Sequence, residues 1–211
     1  MKDFIRARTA EQIADRRNEI VSACEQIYIA GGFDAVTFKA ISEKTSFTRP
    51  SIYNYYATKQ EVMLDLLSRY FVDWYSEIRS QLSDKAPSRE EVCRVFAEVS
   101  EKYQNMFLIF TDLKNIEDGC RVERIVDFKR HYIAFEDFFE ALVARSFPNA
   151  ARETIDAARS GIIILFHGAY PVTHSSEKQI QAIKEAGGKV QNRPFKEVFF
   201  GQMMLLTAGL V

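Results

Sequence analysis

The chain has 211 residues, 47% of them hydrophobic, with 28 Lys and Arg against 29 Asp and Glu and a formal net charge of −1. That apolar content supplies a sizeable core and excludes a disordered chain, while the near-neutral balance means that a polyanionic partner must be gripped by a local basic patch. The opening MKDFIRARTAEQIADRR has no apolar run behind its basic residues, and GIIILF and MMLL are far shorter than a bilayer span, so a cytoplasmic protein without a signal peptide or membrane partner is expected.

Helices are predicted throughout. Ile13, Ile20, Cys24, Ile27 and Tyr28 recur at three- and four-residue steps over 11 to 30, and Gly31-Gly32 then ends the first helix. Thr37 can cap a second helix through 44 with Ile41 inward, and Thr48 a third to about residue 56. Pro50 suits the first turn, where its missing N–H would have no partner. Thr58-Lys59-Gln60-Glu61 is a capping box opening a long helix to 82. The segment SDKAPSREE interrupts the pattern and ends in a second box, Ser88 to Glu91. Beyond it, helices are expected at roughly 88 to 104, 106 to 114, 121 to 147, 149 to 170, 176 to 186 and 194 to 210. The expectation is an all-α chain with domains at 1 to 57 and 83 to 211, joined by a connecting helix at 58 to 82. Cys24, Cys93 and Cys120 are widely spaced and odd in number, which fits neither a disulfide framework nor a zinc ribbon.

Two short helices joined by the tight Thr45-Ser46-Phe47 turn form a helix-turn-helix, a unit that seats its second helix in the major groove. Ile52 and Tyr56 would pack inward with Phe47, leaving Arg49, Pro50, Tyr53 and Asn54 outward. Arg49 can bind a guanine edge with two hydrogen bonds, and Asn54 an adenine. Tyr53 and Tyr55 offer hydroxyls to phosphate, as do the helix starts at Thr37, Thr48 and Thr58, with Lys59 beside the last. Lys2, Arg6 and Arg8 could form a minor-groove arm or a solvated terminus.

A threonine before FKAISEKTSFT, then IYNYY, then TKQEV, all after a long helix ending in Gly-Gly-Phe, resembles the TetR (tetracycline-repressor-like) family of transcription regulators over residues 11 to 65. The resemblance implies that Lys39, Arg49, Pro50 and Ser51 lie nearest the base edges and that Thr37, Thr48, Tyr53, Tyr55 and Lys59 contact phosphates. The family's turn glycine is replaced by Ser46, which would then have to hold a left-handed conformation.

Downstream, the helix KEVFFGQMMLLTAGLV is apolar nearly all round and needs covering on more than one side. Ala157, Gly161, Leu165 and Gly168 form one stripe and Gly201, Leu205 and Ala208 another, so a four-helix homodimer interface is expected, as the resemblance also implies. Between them Trp74, Phe107, Phe110, Phe128, Tyr132 and Phe135 surround the polar groups Asp112, His131 and His167, the composition of a small-molecule effector site. No cofactor is expected, and the histidines and Cys120 have no metal-ligand spacing. An all-helical enzyme using His131 or His167 with Asp112, and a protein-binding scaffold, are the competing functions. The leading expectation is a DNA-binding homodimeric repressor on a palindromic operator, released by an effector that displaces the connecting helix, the one element expected to touch both sites.

Overall fold

A computed structural model describes residues 10–83, 86–190 and 193–210; Lys2, Arg6 and Arg8 lie outside them. Every element among the described residues is a helix: α1 (Ala10–Ala35), α2 (Phe38–Glu43), α3 (Arg49–Ile52), α4 (Lys59–Leu82), α5 (Arg89–Lys102), α6 (Gln104–Phe110), α7 (Leu113–Asp118), α8 (Val122–Ser146), α9 (Arg152–Thr173), α10 (Glu177–Glu185) and α11 (Phe195–Leu206). The chain divides into two compact units. The first joins residues 1 to 69 with 114 to 128, and the second joins 70 to 113 with 129 to 211. Both α4 and α8 cross from one unit into the other, so α4 is not alone in linking them. The 83 to 91 segment connects α4 to α5 inside the second unit.

In the first unit, α1 is interrupted at Gly32, whose φ of 71° is open to glycine and strained for other residues. The Phe33 carbonyl just beyond the break accepts a bond of 3.1 Å from Lys59 Nζ, which also stands 4.1 Å from the Phe33 ring. Ile20, Cys24, Ile41, Ile52, Tyr56 and Leu66 are wholly buried and form the centre of this unit. In the second unit α11 packs on α5 and α9, and α6 packs on α9.

Three elements depart from expectation. The third helix ends at Ile52, and the chain turns on through Tyr56, whose amide still bonds the Ile52 carbonyl. A six-residue helix, α7, appears where none was predicted; with only Leu113 and Ile116 buried it is too short to show a period. The helix α9 runs through Pro171 to Thr173, although the proline has no N–H to give the i−4 carbonyl.

Candidate nucleic-acid interface

Thr37 caps α2 from an extended conformation (φ −138°, ψ 154°), its hydroxyl accepting from the Ala40 N–H at 3.1 Å. Lys39 is exposed, with Glu43 3.9 Å from its Nζ. In the turn, Thr45 Oγ1 donates to the Ile41 carbonyl, and the Ser46 N–H donates to Glu19 Oε1 at 2.6 Å while the Ser46 hydroxyl accepts from Arg16. No described non-glycine residue has positive φ, so the left-handed conformation expected of Ser46 is corrected: the turn closes on side-chain bonds instead.

Thr48 begins α3, but its hydroxyl meets Ser51 Oγ at 2.8 Å rather than a backbone N–H, so the expected side-chain cap is not made. Arg49, Pro50 and Asn54 are exposed and Tyr53 is half-exposed, its ring edge-on to Phe38 at 4.8 Å. Ile52 and Tyr56 on the other side are fully buried. Ser51 and Tyr55 lie between, Tyr55 edge-on to Phe47. All ten residues predicted for DNA fall in the first unit, although Lys59 already spends one N–H on the Phe33 carbonyl.

Sequence reasoning missed the polar framework behind this surface. Asp65 Oδ2 accepts from the Tyr56 hydroxyl at 2.6 Å and from Arg17 at 2.7 Å, and Arg124 stands 4.0 Å from its other oxygen. Burial, and then the Asp65 charge, push the Tyr56 hydroxyl well above the usual phenol range. Burial works against the Arg17 charge, but Asp65 outweighs it and the guanidinium is held above its usual range. One turn earlier, the fully buried Glu61 takes bonds from the Ala57 N–H and from Arg121 through its backbone N–H, Nε and Nη2. Thr58 Oγ1 both accepts from the Glu61 N–H and donates to the Gly119 carbonyl, so the predicted box forms with Ala57 supplying the reciprocal N–H. The signal available in sequence was two carboxylates four apart in α4 and two arginines three apart around the start of α8.

A family profile described as "Bacterial regulatory proteins, tetR family" matches residues 20–66, and one described as "Tetracyclin repressor-like, C-terminal domain" matches residues 57–211. The chain belongs to the TetR family. Members of this family are DNA-binding transcriptional regulators, and the two profiles together span residues 20–211 of this chain. Among curated relatives, "HTH-type transcriptional repressor KstR2" from two strains of Mycobacterium tuberculosis (CDC 1551 / Oshkosh and ATCC 25618 / H37Rv) is 28% identical over 109 residues, covering 50% of this chain and 54% of each relative. The chain thus spans about half the length of the curated relatives it matches. A TetR/AcrR-family transcriptional regulator from Thermobifida fusca YX-ER1 superposes with a TM-score of 0.60 at 18% identity, over 93% of this chain and 99% of that one. PfmR, a TetR-family regulator from Thermus thermophilus, gives 0.52 at 12%, over 91% and 98%. Both likenesses show the fold.

In the second unit of this TetR-family protein, the aromatic residues expected around an effector are packed against one another. Trp74 lies 5.2 Å from Phe135 and from Phe166, 5.5 Å from Phe71 and 6.3 Å from Phe107, with its Nε1 donating to Ser100 Oγ. Phe110 joins through Phe166, and Tyr132 stacks on Phe71. Phe71, Phe96 and Phe166 were not predicted. His167 Nδ1 is 2.8 Å from the Phe110 carbonyl and Asp112 is half-buried, but His167 and His131 are both exposed residues and Phe128 belongs to the first unit. Among the described residues, no cluster of three His, Cys, Asp or Glu could hold a metal ion, and no helix is long and apolar enough to cross a membrane.

Along α9 and α11, Gly161, Ile164, Leu165, Gly168, Val172, Val198 and Leu206 border a groove of about 310 Å³. Ile164, Val172 and Leu205 are about 70% exposed, and Ala157 and Ala208 are exposed. Two members of the predicted stripes turn inward. Leu165 is buried, and a Cβ on Gly161 would overlap Leu206 of the same chain. A Cβ on Gly168 or Gly201 would meet nothing.

Proposed function

We propose that the protein is a homodimeric repressor that binds a two-fold operator through α2 and α3 and is released by a small molecule. The observation that carries this reading is the division of the 49 to 56 stretch into a buried side, Ile52 and Tyr56, and a solvent side, Arg49, Pro50, Tyr53 and Asn54. A side chain that donates in a planar fork is what base-edge recognition needs, and the exposed Arg49 is placed for it. Thr37, Thr48, Tyr53 and Tyr55 would hold phosphates, which position the protein without specifying sequence. Repression is supported by the mycobacterial relatives, which are named repressors. The effector is assigned to the aromatic cluster around Trp74, Phe107, Phe110 and Phe135, with Asp112, Tyr132 and His167 as its polar partners; the rings are in contact, so binding would have to part them.

The test is selection of bound fragments from random DNA by the wild type, Arg49→Ala and Tyr53→Phe. Arg49→Ala should relax preference at one base pair of each half-site, at a cost of about 1–3 kcal/mol per bidentate contact. Tyr53→Phe should weaken all sequences alike. An unchanged selection with Arg49→Ala would remove its base-reading role.

A further inference from the structure

The turn that leaves the recognition helix, through Tyr55 and Tyr56, is held by a side chain from far downstream. Arg124, in the first turn of α8, is only 10% exposed. Its Nη2 donates to the Tyr55 carbonyl at 2.9 Å, its guanidinium lies 5.0 Å from the centre of the Tyr56 ring, and Nη1 stands 4.0 Å from Asp65 Oδ1. Since α3 has four residues, it has almost no internal ladder to fix its own direction; the Ser51 and Ile52 carbonyls at its end are taken by the N–H groups of residues 53 to 56, and the Tyr55 carbonyl beyond them takes its donor from Arg124. The Tyr56 hydroxyl on Asp65, and Arg17 on the same oxygen, tie that end to α4 and α1.

We propose that Arg124 is a positioning residue for DNA recognition: without touching DNA, it sets the direction in which α3 presents Arg49, Tyr53 and Asn54. An arginine suits the place because one planar, permanently charged group can serve a carbonyl, a carboxylate and a ring face together, which a lysine ammonium cannot. Two neighbouring contacts from the same downstream segment, Gly119 to Thr58 and Arg121 to Glu61, anchor the start of α4 in parallel. The DNA-reading unit is therefore completed by residues 114 to 128, which belong to it as a compact body. Without them the helix-turn-helix lacks the donor that closes it.

This inference rests on the 48 to 55 surface being the one that reads DNA. The experiment compares full-length wild type, Arg124→Met and Arg124→Lys, with Arg49→Ala and Tyr53→Phe as references, by titration of a selected operator at several salt concentrations and below every melting temperature. Arg124→Met should lose about tenfold in operator affinity, the worth of one misplaced bidentate base contact, with Arg124→Lys in between. The slope of log affinity against log salt should stay that of the wild type, because no phosphate contact is removed. A slope lower by about one counterion would make Arg124 a phosphate ligand and overturn the proposal, as would wild-type affinity in the folded Lys variant. Hydrogen exchange of the wild type decides the matter even if both variants unfold. The amides of Asn54, Tyr55 and Tyr56 should be as protected without DNA as with it, and protection appearing only on DNA binding would show that Arg124 holds nothing in advance. Should Arg49→Ala and Tyr53→Phe bind normally, the reading surface itself is wrong and this inference falls with it; should they weaken binding while the Arg124 variants do not, the positioning role alone is lost.

Discussion

Glu61 uses both carboxylate oxygens on donors it cannot replace with water, since its side chain is fully buried. Burial alone would raise its pKa. The Arg121 side chain, then the Ala57 and Arg121 backbone N–H groups, more than offset that and hold it below the ordinary 4.5. Because the folded form binds its proton less readily than the unfolded chain, Glu61 contributes stability that is complete above 4.5 and is lost as pH falls through the lowered value. Arg121 is half-exposed and can rehydrate, so the contribution is modest. Glu61→Gln should cost about 1–3 kcal/mol at neutral pH, because an amide NH2 would face N–H donors. Urea unfolding measured downward from pH 4.5 should also show a flatter decline for the variant than for the wild type. Parallel curves would mean that Glu61 titrates normally.

At the level of elements, the turn between α2 and α3 offers a test of how it closes. With no positive φ among the described non-glycine residues, Ser46 is unstrained, and its hydroxyl accepts from Arg16. Ser46→Gly should therefore destabilise by about 0.5–1 kcal/mol, through lost contact and added backbone freedom in the unfolded chain. A rise in melting temperature would indicate strain at Ser46. The elements that sequence made legible were those whose stabilising contacts are local: the periodic helices, and the caps at Thr37 and Ser88, each accepting from an N–H three residues on. What escaped was set by distant chain. The short α3 and α7 carry no period of their own, and the arginines serving Asp65 and the Tyr55 carbonyl come from α1 and α8. The exposed face of α9 was half-read. Spacing found Ala157 and Gly168 but chose Leu165 over its neighbour Ile164, a difference of one helical step that only packing decides.

For the whole molecule, the exposed apolar residues Ile164, Val172 and Leu205 around the α9–α11 groove leave a surface that one copy alone does not bury. In the proposed homodimer a second copy related by a two-fold axis would bring the same patch against it, and a two-fold operator would offer one half-site to each copy. Gly161→Leu cannot test this, since it would strike Leu206 within the subunit. Ile164→Asp can. The side chain is 70% exposed in the single chain, so a carboxylate there is harmless to the subunit but is buried without a partner if the face is covered. Counting about 1–3 kcal/mol for each of two copies, association should weaken by about 30-fold or more. Gly168→Leu should act likewise by overpacking, because a Cβ there meets no described atom within 4 Å. Sedimentation at micromolar concentration should then find single chains with unchanged helical content, and operator affinity should fall to that of one half-site. If Ile164→Asp sediments as the wild type does, the dimer forms through another surface, and the spacing of the operator half-sites would have to be derived from that one.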